Sequence, residues 1–188
     1  MESLKTSFHT NRLTVRLPNA LFEELRKEAD SKDLPLNSFI IKVLSKHVAF
    51  DSRFEMMPTI LTSQILFSAV IGTMDEASMN DVSKIAPRMV KKFAALGGWE
   101  YNIDNVIENY FSLIGRYCGW YQFRHKADRA NYTLIFETGM GRKWARFVHK
   151  YVKAILESLK VHITEESIDE EIVIIKFVKL IVWQPQVD

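Results

Sequence analysis

The feature that most constrains this chain is a six-residue alternation near its start, followed at once by a proline and two short helical patterns. Residues 12–17 read RLTVRL, in which Leu13, Val15 and Leu17 alternate with Arg12, Thr14 and Arg16. Successive side chains of an extended chain point to opposite sides, so this run has one apolar and one polar face. Pro18 ends the alternation and suits the opening of a helix. In residues 19–31, NALFEELRKEADS, Leu21, Phe22, Leu25 and Ala29 fall on one stripe. Glu23 precedes Lys27 by four residues, a stabilising helical spacing. The stretch KDLPLN breaks the pattern. SFIIKVLSKHV then sets Phe39, Ile40, Val43, Leu44 and His47 or Val48 on a second stripe.

One strand and two short helices cannot bury enough surface alone, and a lone strand leaves both edges unpaired. A second copy answers both problems: the two runs pair antiparallel and share one core beneath the helices. The polar face then displays two sets of Arg12, Thr14 and Arg16. A two-stranded ribbon fits the DNA major groove, where Arg reads guanine and Thr reads a polar edge or a thymine methyl. Backbone N–H groups of Leu36, Asn37 and Ser38, at the start of the second helix, would face phosphates.

The stretch RLTVRLPNALFEELRKEADSKDLPLNSFIIKVL resembles the ribbon-helix-helix family of repressors and antitoxins. The resemblance spans residues 10–48, roughly a quarter of the chain. It rests on the order strand, capping residue, helix, short turn and an LN-containing start of the second helix. It implies a homodimer that binds double-stranded DNA, with Arg12, Thr14 and Arg16 in the groove. The family often carries Ser or Thr where the second helix begins. Here that position is Pro35, so a side-chain phosphate contact is missing there, and Asn37 and Ser38 are the polar groups nearby. Lys5, His9 and Asn11 precede the run and would form an arm along the DNA backbone. The other reading of Arg12 and Arg16, as ordinary solvated charges on a dimerisation ribbon, stays open.

The rest of the chain reads as a second domain. Residues 51–59 form a linker. Residues 60–72 suit a helix or a buried strand, and 75–95 one or two helices broken or started at Pro87. Gly97 and Gly98 punctuate the chain. Asn102 can cap a helix reaching about Cys118. WYQFRHK and NYTLIFE suggest a hairpin. A helix is expected from near Gly141 to about Leu159. KVHIT and EIVIIKFVKLIVW read as two strands separated by an acidic turn, EESIDE. The fold class is therefore α+β: a ribbon-helix-helix over 1–50, then an α+β domain with an antiparallel sheet over 60–188. No family resemblance attaches to this second domain.

Composition limits the function classes. Of 188 residues, 47% are hydrophobic and 26% charged, a globular balance. No apolar run approaches the roughly 20 residues of a membrane span, and the first residues lack the apolar stretch of a secretory signal. Cys118 is the single cysteine, which points to a reducing cytoplasm. Residues 120–160 carry nine Lys/Arg against three Asp/Glu, whereas 161–188 carry two against six. Thr138, Gly139 and Gly141 precede a basic helix whose first N–H groups could hold an anion, and Arg142, Lys143 and Arg146 could touch flanking DNA. A turn followed by a solvated basic face accounts for them equally.

Cys118, His125, His149 and His162 lack the close spacing of a metal site, and no metal or cofactor is predicted. Glu108, Glu137, His125 and His149 form no catalytic spacing, so no enzyme is predicted. Tyr101, Tyr110, Tyr117, Trp120, Tyr121 and Trp144 either line an apolar pocket for a small-molecule effector or belong to the core. The leading expectation is a sequence-specific transcription regulator, a dimeric repressor, with a dimer of dimers also open. The alternative is an antitoxin or plasmid-maintenance protein whose second domain binds a protein partner.

Overall fold

The computed structural model describes residues 11–56, 60 and 62–179. The chain divides into two units, Met1–Pro58 and Thr59–Asp188.

In the first unit, α1 spans Asn19–Asp30 and α2 spans Leu36–Lys46. Each opens after a proline at its N-cap, Pro18 and Pro35, with ψ near that of an extended chain. The turn between them is a Schellman motif: Leu34 N–H donates to Ala29 O at 3.0 Å and Asp33 N–H to Asp30 O at 3.1 Å. Asp33 takes the left-handed position, φ 50°, usually given to glycine. Past α2 the helix continues through one π-helical segment, His47–Asp51, into α3, Ser52–Phe54. The Phe50 and Phe54 rings lie 4.2 Å apart there. Residues 51–54, read from sequence as the start of a linker, are thus helical.

The expected ribbon strand does not form within the chain. Residues 11–18 carry no strand, and Leu13 and Val15 are 78% and 62% exposed. The physical reason is that a strand is defined by the ladder it shares, and among the described residues of this unit no second strand exists to share it.

Among the described residues of the second unit, four helices precede the sheet. They are α4 (Gln64–Thr73), α5 (Glu76–Ser83), α6 (Ala86–Gly97) and a rod made of α7 (Ile103–Val106), a π-helical segment (Ile107–Phe111) and α8 (Ser112–Cys118). Three of their starts follow side-chain caps: Ser63 Oγ accepts from Leu66 N–H, Asp75 from Ser78 N–H, and Asn102 from Asn105 N–H, whereas α6 opens with a proline in its first turn. Gly98, at φ 66°, ends α6. Then follow β1 (Gln122–Asp128), β2 (Asn131–Glu137), α9 (Arg142–Ser158), β3 (His162–Asp169) and β4 (Ile172–Val178). They form one antiparallel sheet of order β1-β2-β4-β3.

Period-two alternation decides which face of the sheet is buried. Tyr132, Leu134 and Phe136 of β2, and Val173, Ile175 and Phe177 of β4, point into the core. Above them α9 lays Trp144, Phe147, Val148, Val152, Ile155 and Leu156. One expectation needs correction. EESIDE is no turn, because Glu165 to Asp169 lie in β3 opposite β4, and the chain reverses at Glu170 and Glu171. A bulge between Ile163 and Glu165 keeps Ile163 opposite Phe177 and Ile168 opposite Val173. The acidic residues are thereby placed along an exposed edge strand, where charge opposes edge-to-edge pairing.

Candidate nucleic-acid interface

The first unit is small, and its burial is incomplete. Among its described residues the buried apolar side chains are Ala29, Phe39 and Phe50. Leu21, Phe22, Ile41, Val43, Leu44 and Val48 remain exposed, beside Leu13 and Val15. These are largely the residues that the period-two and helical patterns assign to an apolar side. Ala29 lies at the C-terminal end of the α1 stripe, and Lys32 sits 4.7 Å over the Phe39 ring while pairing with Glu28 at 2.8 Å. That cluster sits between α1 and α2 and leaves Leu21, Phe22, Ile41, Val43, Leu44 and Val48 exposed.

Asn11, Arg12, Thr14 and Arg16 are all exposed. Lys5 and His9 lie outside the described residues. Leu36, Asn37 and Ser38 form the first turn of α2, and the first intrahelical bond is Phe39 N–H to Pro35 O at 3.0 Å. The three N–H groups before Phe39 therefore have no partner inside the helix. No side chain caps them. Pro35 removes a hydroxyl from the cap but keeps the N–H groups pointing outward, the geometry that receives an anion.

The basic helix of the second unit has a different character. Glu171 Oε1 already accepts from Gly141 N–H at 3.0 Å, so a carboxylate stands at the start of α9. Lys143 donates to the carbonyls of Gly72 and Met74. Arg146 pairs with Glu76 at 3.0 Å, as does Lys150 at 2.9 Å. Arg142 is exposed. Thr138 is buried and donates to Glu171 O at 3.1 Å. The positive charge of residues 142–153 that sequence alone left unassigned is thus met largely by acids and carbonyls of the same unit.

Of the six aromatic residues expected either at a pocket or in the core, three are core and three are half-buried. Tyr110, Tyr121 and Trp144 are buried. Trp144 Nε1 donates to Trp120 O at 2.9 Å, and the Tyr110 and Tyr151 hydroxyls are 2.6 Å apart. Burial pushes the Tyr110 and Tyr121 phenols well above their usual range and Tyr151 to about 12. These groups stay neutral and structural. Tyr101 bonds Ser158, and Tyr117 lies beside Arg116. A cleft of about 430 Å³ lies between α5 and α9, lined by Asn80, Ser83, Lys84, His149, Lys150 and Lys153 among others, and not by these aromatics.

The histidines and the cysteine are dispersed. His149 on α9 meets Glu166 on β3 at 2.6 Å, and Lys153 meets the other Glu166 oxygen at 2.7 Å. Burial lowers the His149 pKa more strongly than Glu166 raises it. Burial opposes ionisation of Glu166, yet the hydrogen bonds from Lys153 and His149 hold its carboxyl below the ordinary range. The two shifts agree on a neutral imidazole beside a carboxylate whose cation is Lys153. His125 stacks on Phe123 and lies 3.5 Å from Glu108. Glu137 is bound by Arg124. His162 opens β3, and Cys118 ends α8. No group of three or more His, Cys, Asp or Glu able to hold a metal ion occurs among the described residues. No described helix is long and apolar enough to cross a membrane.

Comparisons with protein-family models, with curated proteins and with solved structures gave no match.

Proposed function

We propose that this chain is a homodimeric, sequence-specific DNA-binding regulator of transcription, acting as a repressor through a ribbon built from residues 12–17 of two copies. One observation carries the reading: the first unit leaves Leu13 and Val15 exposed together with Leu21, Phe22, Val43 and Leu44, while Arg12, Thr14 and Arg16 alternate with the first two. An apolar set of that size on so small a unit needs a cover. The same alternation that hands Leu13 and Val15 to a shared core hands the two arginines and the threonine to the opposite side. Two antiparallel runs then present a twisted ribbon of the width the major groove admits. The unpartnered N–H groups of Leu36, Asn37 and Ser38 supply the phosphate contacts that set its register.

The repression mechanism is steric occupation of the operator. On α9, Lys143, Arg146, Lys150 and Lys153 have partners within their own unit, which leaves Arg142 as the exposed cation of that helix available to flanking DNA. A second reading, an antitoxin or plasmid-maintenance protein with the same ribbon, differs only in what the second unit binds. In that reading the exposed apolar side chains of α4 are where such a partner would dock.

The test is selection of bound fragments from a random duplex library, followed by affinity measurements at two salt concentrations. A short repeated motif is expected, lost or relaxed in Arg16→Ala while the dimer persists. Loss of a bidentate guanine contact should cost about 1–3 kcal/mol at that base. Strongly salt-dependent binding without any preferred sequence would leave a coating protein in place of a regulator. Equal, negligible effects of replacing Arg12, Thr14 and Arg16 would remove the ribbon from the groove.

A further inference from the structure

We infer that the outward face of α4 is a second homodimer contact, formed between the α4 helices of the two copies that the ribbon brings together. The inference rests on the homodimer proposed above. Gln64–Thr73, QILFSAVIGT, contains no charged residue. Its inner side places Ile71 in the core and Phe67 against Trp144, with ring centroids 5.3 Å apart. Its outer side exposes Ile65 at 85%, Leu66 at 60% and Val70 at 51%, together with Ala69 and Thr73. These positions are spaced i, i+1, i+4, i+5 and i+8, one continuous stripe of a helix.

Three properties favour a second copy as the occupant. The stripe bears no ionisable group, so apposing it to itself creates no like-charge pair. Ala69 and Thr73, four residues apart, let two such helices cross closely, with Ile65, Leu66 and Val70 as the flanking ridges. The area is also telling: three large side chains on two and a half turns fall well short of the roughly 800 Å² per partner of a free-standing specific interface. Such a contact needs tethering. Ten Cα steps separate Phe54, the last residue of α3, from Gln64, and span at most about 36 Å fully extended. Two copies held through their first units therefore keep their α4 stripes within a short tether, at a local concentration on the order of millimolar. A weak apolar contact is then sufficient.

The experiment uses the full chain at low micromolar concentration. Sedimentation first establishes whether it is dimeric, and Ala69→Cys is then treated with a short bismaleimide. The unaltered chain, carrying only Cys118, sets the background, and Lys126→Cys on exposed β1 is the control. The expected result is a covalent dimer from Ala69→Cys formed at least tenfold faster than from Lys126→Cys. Leu66→Asp is expected to weaken the dimer at least tenfold without changing the DNA motif selected. A dimeric chain in which Ala69→Cys links no faster than the control overturns the α4 pairing and leaves the ribbon standing. That outcome would give the stripe to a foreign chain. A monomeric chain overturns both the ribbon and the α4 contact.

Discussion

Replacing Val15 by alanine separates a covered ribbon from a solvated one. Val15 is 62% exposed in the single chain, and in the proposed dimer it lies in the shared core. The substitution removes two methyl-sized groups, each contributing about 0.8 kcal/mol when buried. Both copies are altered, so the dimer should lose about 3 kcal/mol, before any cavity term adds to it. That is on the order of a hundredfold in the dimer Kd. Surface substitutions away from such contacts stay within about 0.5 kcal/mol each, at most about fivefold when both copies carry one. Sedimentation equilibrium across a concentration series resolves the two cases. Arg16→Ala, one residue further and on the other face, should leave the same curve unchanged. A Val15→Ala chain whose dimer Kd lies within threefold of the parent would refute the burial of this side chain, and with it the register that puts Arg12, Thr14 and Arg16 in the groove.

Other substitutions probe local geometry. Asp33→Gly should stabilise the first unit by about 0.5–1 kcal/mol in chemical denaturation, since left-handed strain of about 1–2 kcal/mol exceeds the added unfolded-state entropy of about 0.4–1 kcal/mol; a loss of stability would show that the Asp33 side chain has a role of its own. Gly97→Ala and Gly72→Ala should differ in sign. A Cβ at Gly97 would stand 2.4 Å from Trp99 Nε1, whereas one at Gly72 meets nothing within 4 Å. The first is expected to destabilise by about 1–3 kcal/mol and the second to gain up to about 1 kcal/mol from helix propensity, both read by thermal unfolding. Stability of the second unit should fall with acid in two stages. The folded His149 pKa lies below its ordinary 6.5, so its contribution is complete above that value and declines as pH drops below it. The depressed carboxyls of Glu166 and Asp104 hold their contribution above the ordinary carboxylate range and lose it further down. A Tm that stays flat from pH 7 to 5.5 in the parent would count against the His149 assignment.

Much of the fold was legible in local patterns, and much of the site was not. The NYTLIFE run matches β2 from Asn131 to Glu137, and the stripe after Gly141 matches α9. Asn102 caps the helix that its amide predicts. The π-helical segments at His47–Asp51 and Ile107–Phe111 left no such signature, because five residues are too few to show a period of their own within a longer helical run. EESIDE misled for a related reason: charged residues on a solvated edge strand look like a turn until the partner strand is known.

For the candidate site, alternation in residues 12–17 determined by itself which side chains would share a face if that run is extended. Tertiary structure alone decided that Leu13 and Val15, like Arg12, Thr14 and Arg16, stay exposed in the single chain. It also decided that Lys143, Arg146 and Lys150 point to acids and carbonyls of their own unit, and that α4 keeps an apolar stripe outside. The physical reason is one of range. Periodicity and capping act over a few residues, and so are written in local sequence. Ion pairs such as Glu76 with Arg146, and the order β1-β2-β4-β3, join segments distant in the chain and exist only once packing brings them together.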